Sequence, residues 1–191
     1  MSSAVLERIT RLAPLGLEFR DQASGRRIGD GLVVRVMPPG QPQRSVLARP
    51  NPRGIHVAHD LPGLGAWSHG GAEPLPHPEF EIQVEDRLGR FLPCNLRLTL
   101  PEQGLAKPAC LAANSHPGIP LFSAPTRIAP GLAVIRAELF NPVAGKPAAW
   151  AVLAAEYQEQ QVALGMADGQ GRIQLAFAYP EPALSDQPLA A

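Results

Sequence analysis

Between Leu132 and Pro182 short apolar runs are separated by strong turn signals, and that pattern restricts the segment to an all-β unit. In Val134 to Phe140, Ile135, Ala137 and Leu139 alternate with Arg136 and Glu138, the period of two that buries one face of a strand and wets the other. Asn141-Pro142-Val143-Ala144-Gly145 turns the chain. A second strand follows from Trp150 to Tyr157 and a third from Gln161 to Ala167. Asp168-Gly169-Gln170-Gly171 turns again, and Ile173, Leu175, Phe177 and Tyr179 alternate along a last strand that Pro180 and Pro182 stop.

The stretch Leu17 to Gly63 follows the same order. Strands are expected at Leu17 to Arg20, Leu32 to Met37, Val46 to Ala48 and Ile55 to His59, with turns at Asp21 to Gly25 and Asn51 to Gly54 and a stop at Pro62. Gly25 and Gly145 lie 120 apart, Gly54 and Gly171 117, and Pro62 and Pro180 118. A nearly constant offset at three landmarks predicts a duplicated module. Phe80 to Glu85, the turn Asp86-Arg87-Leu88-Gly89 and Phe91 to Leu100 then read as a hairpin completing the first copy. Asp86 and Arg87 invite a catalytic reading, but a turn uses an Asp to bind its own backbone, and that suffices.

Both copies resemble the carboxypeptidase regulatory-like, or transthyretin-like, β-sandwich. The matching residues are Asp21, Ser24, Gly25, Gly54, Ile55 and Pro62-Gly63 in the first, and Asn141, Gly145, Lys146-Pro147, Asp168, Gly171, Ile173 and Pro180 in the second. The first copy departs in using Asn51-Pro52-Arg53-Gly54 for the acidic turn, the second in opening on asparagine. The implied fold is all-β: two Ig-like or transthyretin-like sandwich modules joined by a Pro-rich linker, after a short N-terminal helix. The boundaries are an arm over residues 1–14, a first module over 15–101, a linker over 102–130, a second module over 131–182 and a tail over 183–191.

Charge narrows the function classes. Seventeen Lys+Arg balance 17 Asp+Glu, which gives no electrostatic footprint for nucleic acid or an anionic membrane. No segment approaches a membrane span, and the N-terminus lacks the pattern of a signal peptide, so a cytoplasmic protein is expected. Cys94 and Cys110 read as small buried hydrophobes. Cys110, Asn114 and His116 have the residue types of a thiol catalyst, but known sites assemble such groups through the fold and not within one loop. His56 and His59 fall on opposite faces of a strand, and His69 and His77 sit in an irregular Gly/Pro-rich loop, so no metal site is expected. No catalytic residue and no cofactor site are expected either.

Five residues are candidate interface positions. Val5, Ile9 and Leu12 share one face of a possible helix over residues 3–13, which either packs on its own sandwich or docks on a neighbouring subunit. Trp67 is a lid on the sandwich end or an interface anchor, and Phe122 is an aromatic in the proline-rich connector. A second resemblance, carried by VEDRLGRFLP (Val84 to Pro93), the stretch Ile119 to Phe140 and AFAYPEP (Ala176 to Pro182), is to proteins encoded with phage-tail-like contractile injection systems. It implies a baseplate, spike or cap component, made in the cytoplasm, released with its particle and partnered by other protein subunits. The alternative is a carbohydrate- or peptide-binding sandwich, for which the chain has few aromatics; a metal-dependent hydrolase fits least.

Overall fold

The computed structural model describes residues 15–63, 79–99 and 118–179. Over these residues the chain is all-β, with one short 3-10 turn at Pro42–Arg44. It divides into two compact units, residues 1–122 and 123–191. That division falls inside the segment read above as a linker. The expected N-terminal helix over residues 3–13 lies outside the described residues.

In the first unit the strands are β1 (Leu15–Leu17), β2 (Phe19–Asp21), β3 (Arg27–Ile28), β4 (Leu32–Met37), β5 (Val46–Pro50), β6 (His56–Ala58), β7 (Glu79–Asp86), β8 (Cys94–Thr99) and β9 (Ile119–Leu121). They form a six-stranded sheet in the order β1-β6-β5-β4-β7-β8 and a three-stranded sheet β3-β2-β9. The single strand expected at Leu17 to Arg20 is broken at Glu18, where the chain leaves one sheet for the other and the Glu18 carbonyl accepts the Ile119 N–H at 2.7 Å. β9 pairs parallel with β2, so Ile119–Leu121 is sheet and not spacer. Thirteen buried side chains form this unit's core, including Phe19, Val34, Val36, Phe80, Ile82 and Leu121.

The second unit contains β10 (Ala133–Glu138), β11 (Phe140–Asn141), β12 (Lys146–Pro147), β13 (Val152–Tyr157), β14 (Gln160–Met166) and β15 (Arg172–Phe177). Its ladders are β10-β15, β11-β12 and β13-β14, all antiparallel. A bulge in the last of these leaves Val162 as the extra residue on β14, so β13 itself stays regular.

The two units share one pairing plan. β1 pairs with β6, β2 with β3 and β4 with β5; β10 pairs with β15, β11 with β12 and β13 with β14. The registers correspond as well. Leu17 opposes His56 as Ala137 opposes Ile173, and Leu15 opposes Ala58 as Ile135 opposes Leu175, with shifts of 120 on one strand and 117 on the other. Arg20 opposes Arg27 as Phe140 opposes Pro147, a shift of 120 on both strands. Val34 opposes Ala48 as Leu153 opposes Gly165, with shifts of 119 and 117.

The turns repeat at atomic detail. Asn51 Oδ1 accepts the N–H groups of Arg53 and Ile55 at 2.9 and 3.1 Å, and Asp168 Oδ1 accepts those of Gln170 and Arg172 at 2.8 and 2.9 Å. The side chains of Asp21 and Asn141 bind their own turns in the same way, through the N–H groups of Ala23 and Val143, each at 3.1 Å. An Asx side chain in a turn substitutes for a backbone partner, which is why the sequence landmarks carried so much of this plan.

Candidate interaction surface

The units differ in what covers the shared plan. β4 lies between β5 and β7, whereas β13 has β14 on one side and, among the described residues, no strand on the other. Likewise β2 lies between β3 and β9, while β11 pairs with β12 alone. The second unit therefore lacks, among the described residues, counterparts of β7, β8 and β9.

Burial follows from that difference. By the ladder registers Val33 and Met37 of β4 correspond to Val152 and Glu156 of β13. Val33 is 8% and Met37 2% exposed, but Val152 is 57% exposed and Glu156 is also exposed. Leu15, 5% exposed, corresponds to Ile135 at 45%, so the half-buried face expected for Ile135 is open to solvent in the described structure. The alternation marks a strand, but among the described residues no layer covers Ile135. Of eleven large exposed hydrophobics among the described residues, nine lie in the second unit, Phe140, Trp150, Val152 and Tyr157 among them.

The closed core of the second unit is correspondingly thin: Ala163, Ala167, Ile173 and Leu175 are its buried members, with Ala137, Leu139, Leu153, Ala155 and Phe177 packed against them. A fully buried Ile or Leu contributes roughly 1.5–3 kcal/mol and an Ala much less, so four such residues stabilise the unit far less than thirteen stabilise the first. Close approach makes up part of the difference. A Cβ on Gly165 would sit 2.6 Å from Leu175 Cδ2 and 3.1 Å from the Gln174 carbonyl oxygen, so this glycine lets β14 lie directly on β15.

The polar groups that draw attention in the sequence are structural. Asp86, whose side chain is 1% exposed, accepts the Arg90 N–H at 2.6 Å and the Arg90 guanidinium at 3.1 Å. Burial alone would raise its carboxyl; the hydrogen bonds of Arg90, the Leu88 N–H and the Arg90 charge outweigh it and hold the carboxyl below the usual carboxylate range. Arg90 also reaches the Asp30 carboxylate at 3.2 Å and the Asp30 carbonyl at 2.7 Å, tying the β7-β8 turn to the β3-β4 turn. It is Arg90, four residues beyond Asp86, and not Arg87 that makes this pair. Asp168 and Arg172 repeat the arrangement at 2.9 Å in the second unit.

His56 is fully buried, meets Phe19 edge to face at 5.3 Å, and has no hydrogen-bond partner on either ring nitrogen among the described residues. His59 is exposed, as opposite strand faces require. Burial pushes the His56 pKa down, so the folded chain holds it neutral. A depressed folded pKa gives stability that is complete above the unfolded value of about 6.5 and is lost as pH falls from there. The equivalent residue in the second unit is Ile173. His56→Ile is expected to raise the stability of the first unit by about 1–3 kcal/mol and to remove the loss between about pH 7 and pH 5, as read by urea unfolding at the two pH values. The carboxylates, held low by their arginines, lose stability only below about pH 4, so the two effects separate.

Among the described residues no group of three or more His, Cys, Asp or Glu side chains is placed to hold a metal ion. No helix among them is long and apolar enough to cross a membrane. Cys94 is half-buried against the first core, and burial pushes its thiol up, away from the thiolate that reactivity requires. Of the five expected interface residues, Val5, Ile9, Leu12 and Trp67 lie outside the described residues, as do His69, His77, Cys110, Asn114 and His116. Phe122 is half-buried, and its carbonyl accepts the Leu92 N–H at 2.9 Å, so its backbone belongs to the first unit.

The exposed aromatic that sequence reading passed over is Trp150. It is 51% exposed, holds a left-handed φ of 62°, and lies in contact with the Asp168 turn, where a Cβ on Gly169 would be 3.6 Å from its Cζ2. It heads the strand expected from Trp150 to Tyr157, which in the structure begins at Val152, and nothing in the local pattern marks its left-handed backbone. No protein-family model, no curated protein and no solved structure matches this chain.

Proposed function

We propose that this chain is a non-catalytic structural or adaptor subunit of a large protein assembly, built as a tandem of transthyretin-like β-sandwich modules. The observation that carries the reading is the second unit, which repeats the pairing plan of the first and, among the described residues, leaves open the edge and apolar face that the first one covers. An edge strand flanked by exposed apolar side chains is a template for a partner strand, and a chain that kept it unused would be prone to aggregate. The Asp86 and Asp168 carboxylates, bound to backbone N–H groups of their own turns and to Arg90 and Arg172, are placed to hold those turns.

The assembly is of the phage-tail-like contractile injection type, with this chain in its baseplate, spike or cap region, assembled in the cytoplasm. The test is native sedimentation from the source cells with a tag on the C-terminus. Co-sedimentation with sheath-like or tube-like proteins in fixed ratio is the expected result. A chain that stays in the light soluble fraction contradicts it.

A further inference from the structure

We propose that the outer edge of β13 is an acceptor for β8 of a second copy of this chain, so that copies join through antiparallel strand addition. This deepens the assembly reading and rests on it for the larger particle, while the self-contact stands on the geometry below. In the first unit the equivalent edge, that of β4, takes β7 along six consecutive pairs from Leu32–Asp86 to Met37–Glu81. The edge is thus of a kind that this fold fills with an antiparallel strand, and main-chain hydrogen bonds there supply affinity irrespective of sequence.

Complementarity selects the occupant. β8 is the last strand of its sheet, and its outer edge is unpaired among the described residues. It has six residues, as β13 has. β8 turns Cys94, Leu96 and Leu98 towards the core and Asn95, Arg97 and Thr99 to solvent. β13 turns Leu153 and Ala155 inward and leaves Val152, Ala154 and Glu156 exposed. With Arg97 opposite Glu156, Leu98 falls opposite Ala155 and Thr99 opposite Ala154, which sets apolar on apolar and cation on anion. Arg97 binds Glu81 at 3.1 Å yet its side chain is 73% exposed, leaving guanidinium N–H groups for a second carboxylate.

Other pairings fit less well. β1, the opposite end strand of the same sheet, is three residues long and carries no charge. Pairing β13 with its own copy about Ala154 sets Glu156 against Val152 and leaves the carboxylate without a cation. Because donor and acceptor strands are different strands of the chain, the contact either closes reciprocally between two copies or continues into a ring or an open filament.

The test is sedimentation velocity and light scattering on the purified full chain from about 1 to about 100 µM. Dimers or larger species that grow in with concentration are expected. R97E and E156R, each checked for fold by circular dichroism, should weaken association about tenfold or more, and the double variant R97E/E156R should restore it. A monomer at every concentration overturns the proposal, including the case in which another segment of the same chain covers β13. So do folded single variants that assemble like the parent, and so does a double variant that fails to recover. A purified monomer that still sediments with a large particle from lysate removes the self-contact and leaves the adaptor reading; a monomer in both removes both.

Discussion

Gly171→Ala is expected to destabilise the second unit by about 2–5 kcal/mol, enough to unfold it given its thin core. Gly171 sits at φ +77°, and a Cβ there would lie 2.5 Å from the Leu139 carbonyl oxygen, 3.1 Å from Pro147 Cβ and 3.2 Å from the Ala148 nitrogen. Two of these neighbours are backbone and cannot swing aside. Leu139 lies where the chain passes from β10 to β11 and donates its N–H to the Gly171 carbonyl at 2.8 Å, while Ala148 follows β12 and donates its N–H to the Leu139 carbonyl at 2.8 Å. The left-handed conformation alone costs an Ala about 1–2 kcal/mol, and the steric insertion adds a comparable or larger amount. Gly145→Ala separates the two terms, since Gly145 has φ +60° and nothing within 4 Å of a Cβ. Urea unfolding followed by circular dichroism should show the Gly145 variant losing only the conformational part. Equal losses in the two variants would mean that the close approach of the Asp168 turn to Leu139 is not a constraint.

Phe19→Ala should cost the first unit about 3–5 kcal/mol, the largest single loss expected there. Phe19 is fully buried, pairs with Ile28 on one side and Ile119 on the other, and packs edge to face on His56. It stands at the start of β2, directly after the chain changes sheets, so its ring fills the space between them. The second unit places Leu139 at the corresponding position, where it is only half-buried. Phe19→Leu should therefore cost about 1.5 kcal/mol or a little more, as a cavity of modest size opens in a site whose backbone accommodates leucine. Thermal unfolding of the two variants gives the ratio; an Ala variant no worse than the Leu variant would place the ring outside the core.

Most of the strand plan was legible because turn chemistry is local. Asn51 and Asp168 bind backbone N–H groups two and four residues on, and this requirement fixes residue type and spacing in the sequence itself. β4 falls on the expected Leu32 to Met37, and the β7-β8 hairpin turns at Asp86 to Gly89 as its pattern requires. β9 was not legible. Pro120 has no N–H to donate and lies in a run of prolines, yet the strand is held by β2 at an edge where that absence is tolerated.

The candidate surface was less visible, because alternation reports that a residue has a face and not what covers it. Ile135 lies in a clear alternating run and corresponds by register to Leu15, yet the two differ in exposure because of their surroundings. Arg90 was missed for a related reason: its carboxylate at Asp86 is close in sequence, but its second anchor at Asp30 is sixty residues away.

Among the described residues β13 presents an open edge where β4 is covered. Hydrogen exchange on the dilute full chain, followed at the amides of Leu32–Met37 and Val152–Tyr157, tests it most directly. β4, paired on both sides, should show slow exchange throughout, while β13 should show alternate fast amides along its outer edge that become protected as concentration rises. Uniform protection of β13 at the lowest concentration, equal to that of β4, would show that the edge is already covered within one chain and would contradict the account.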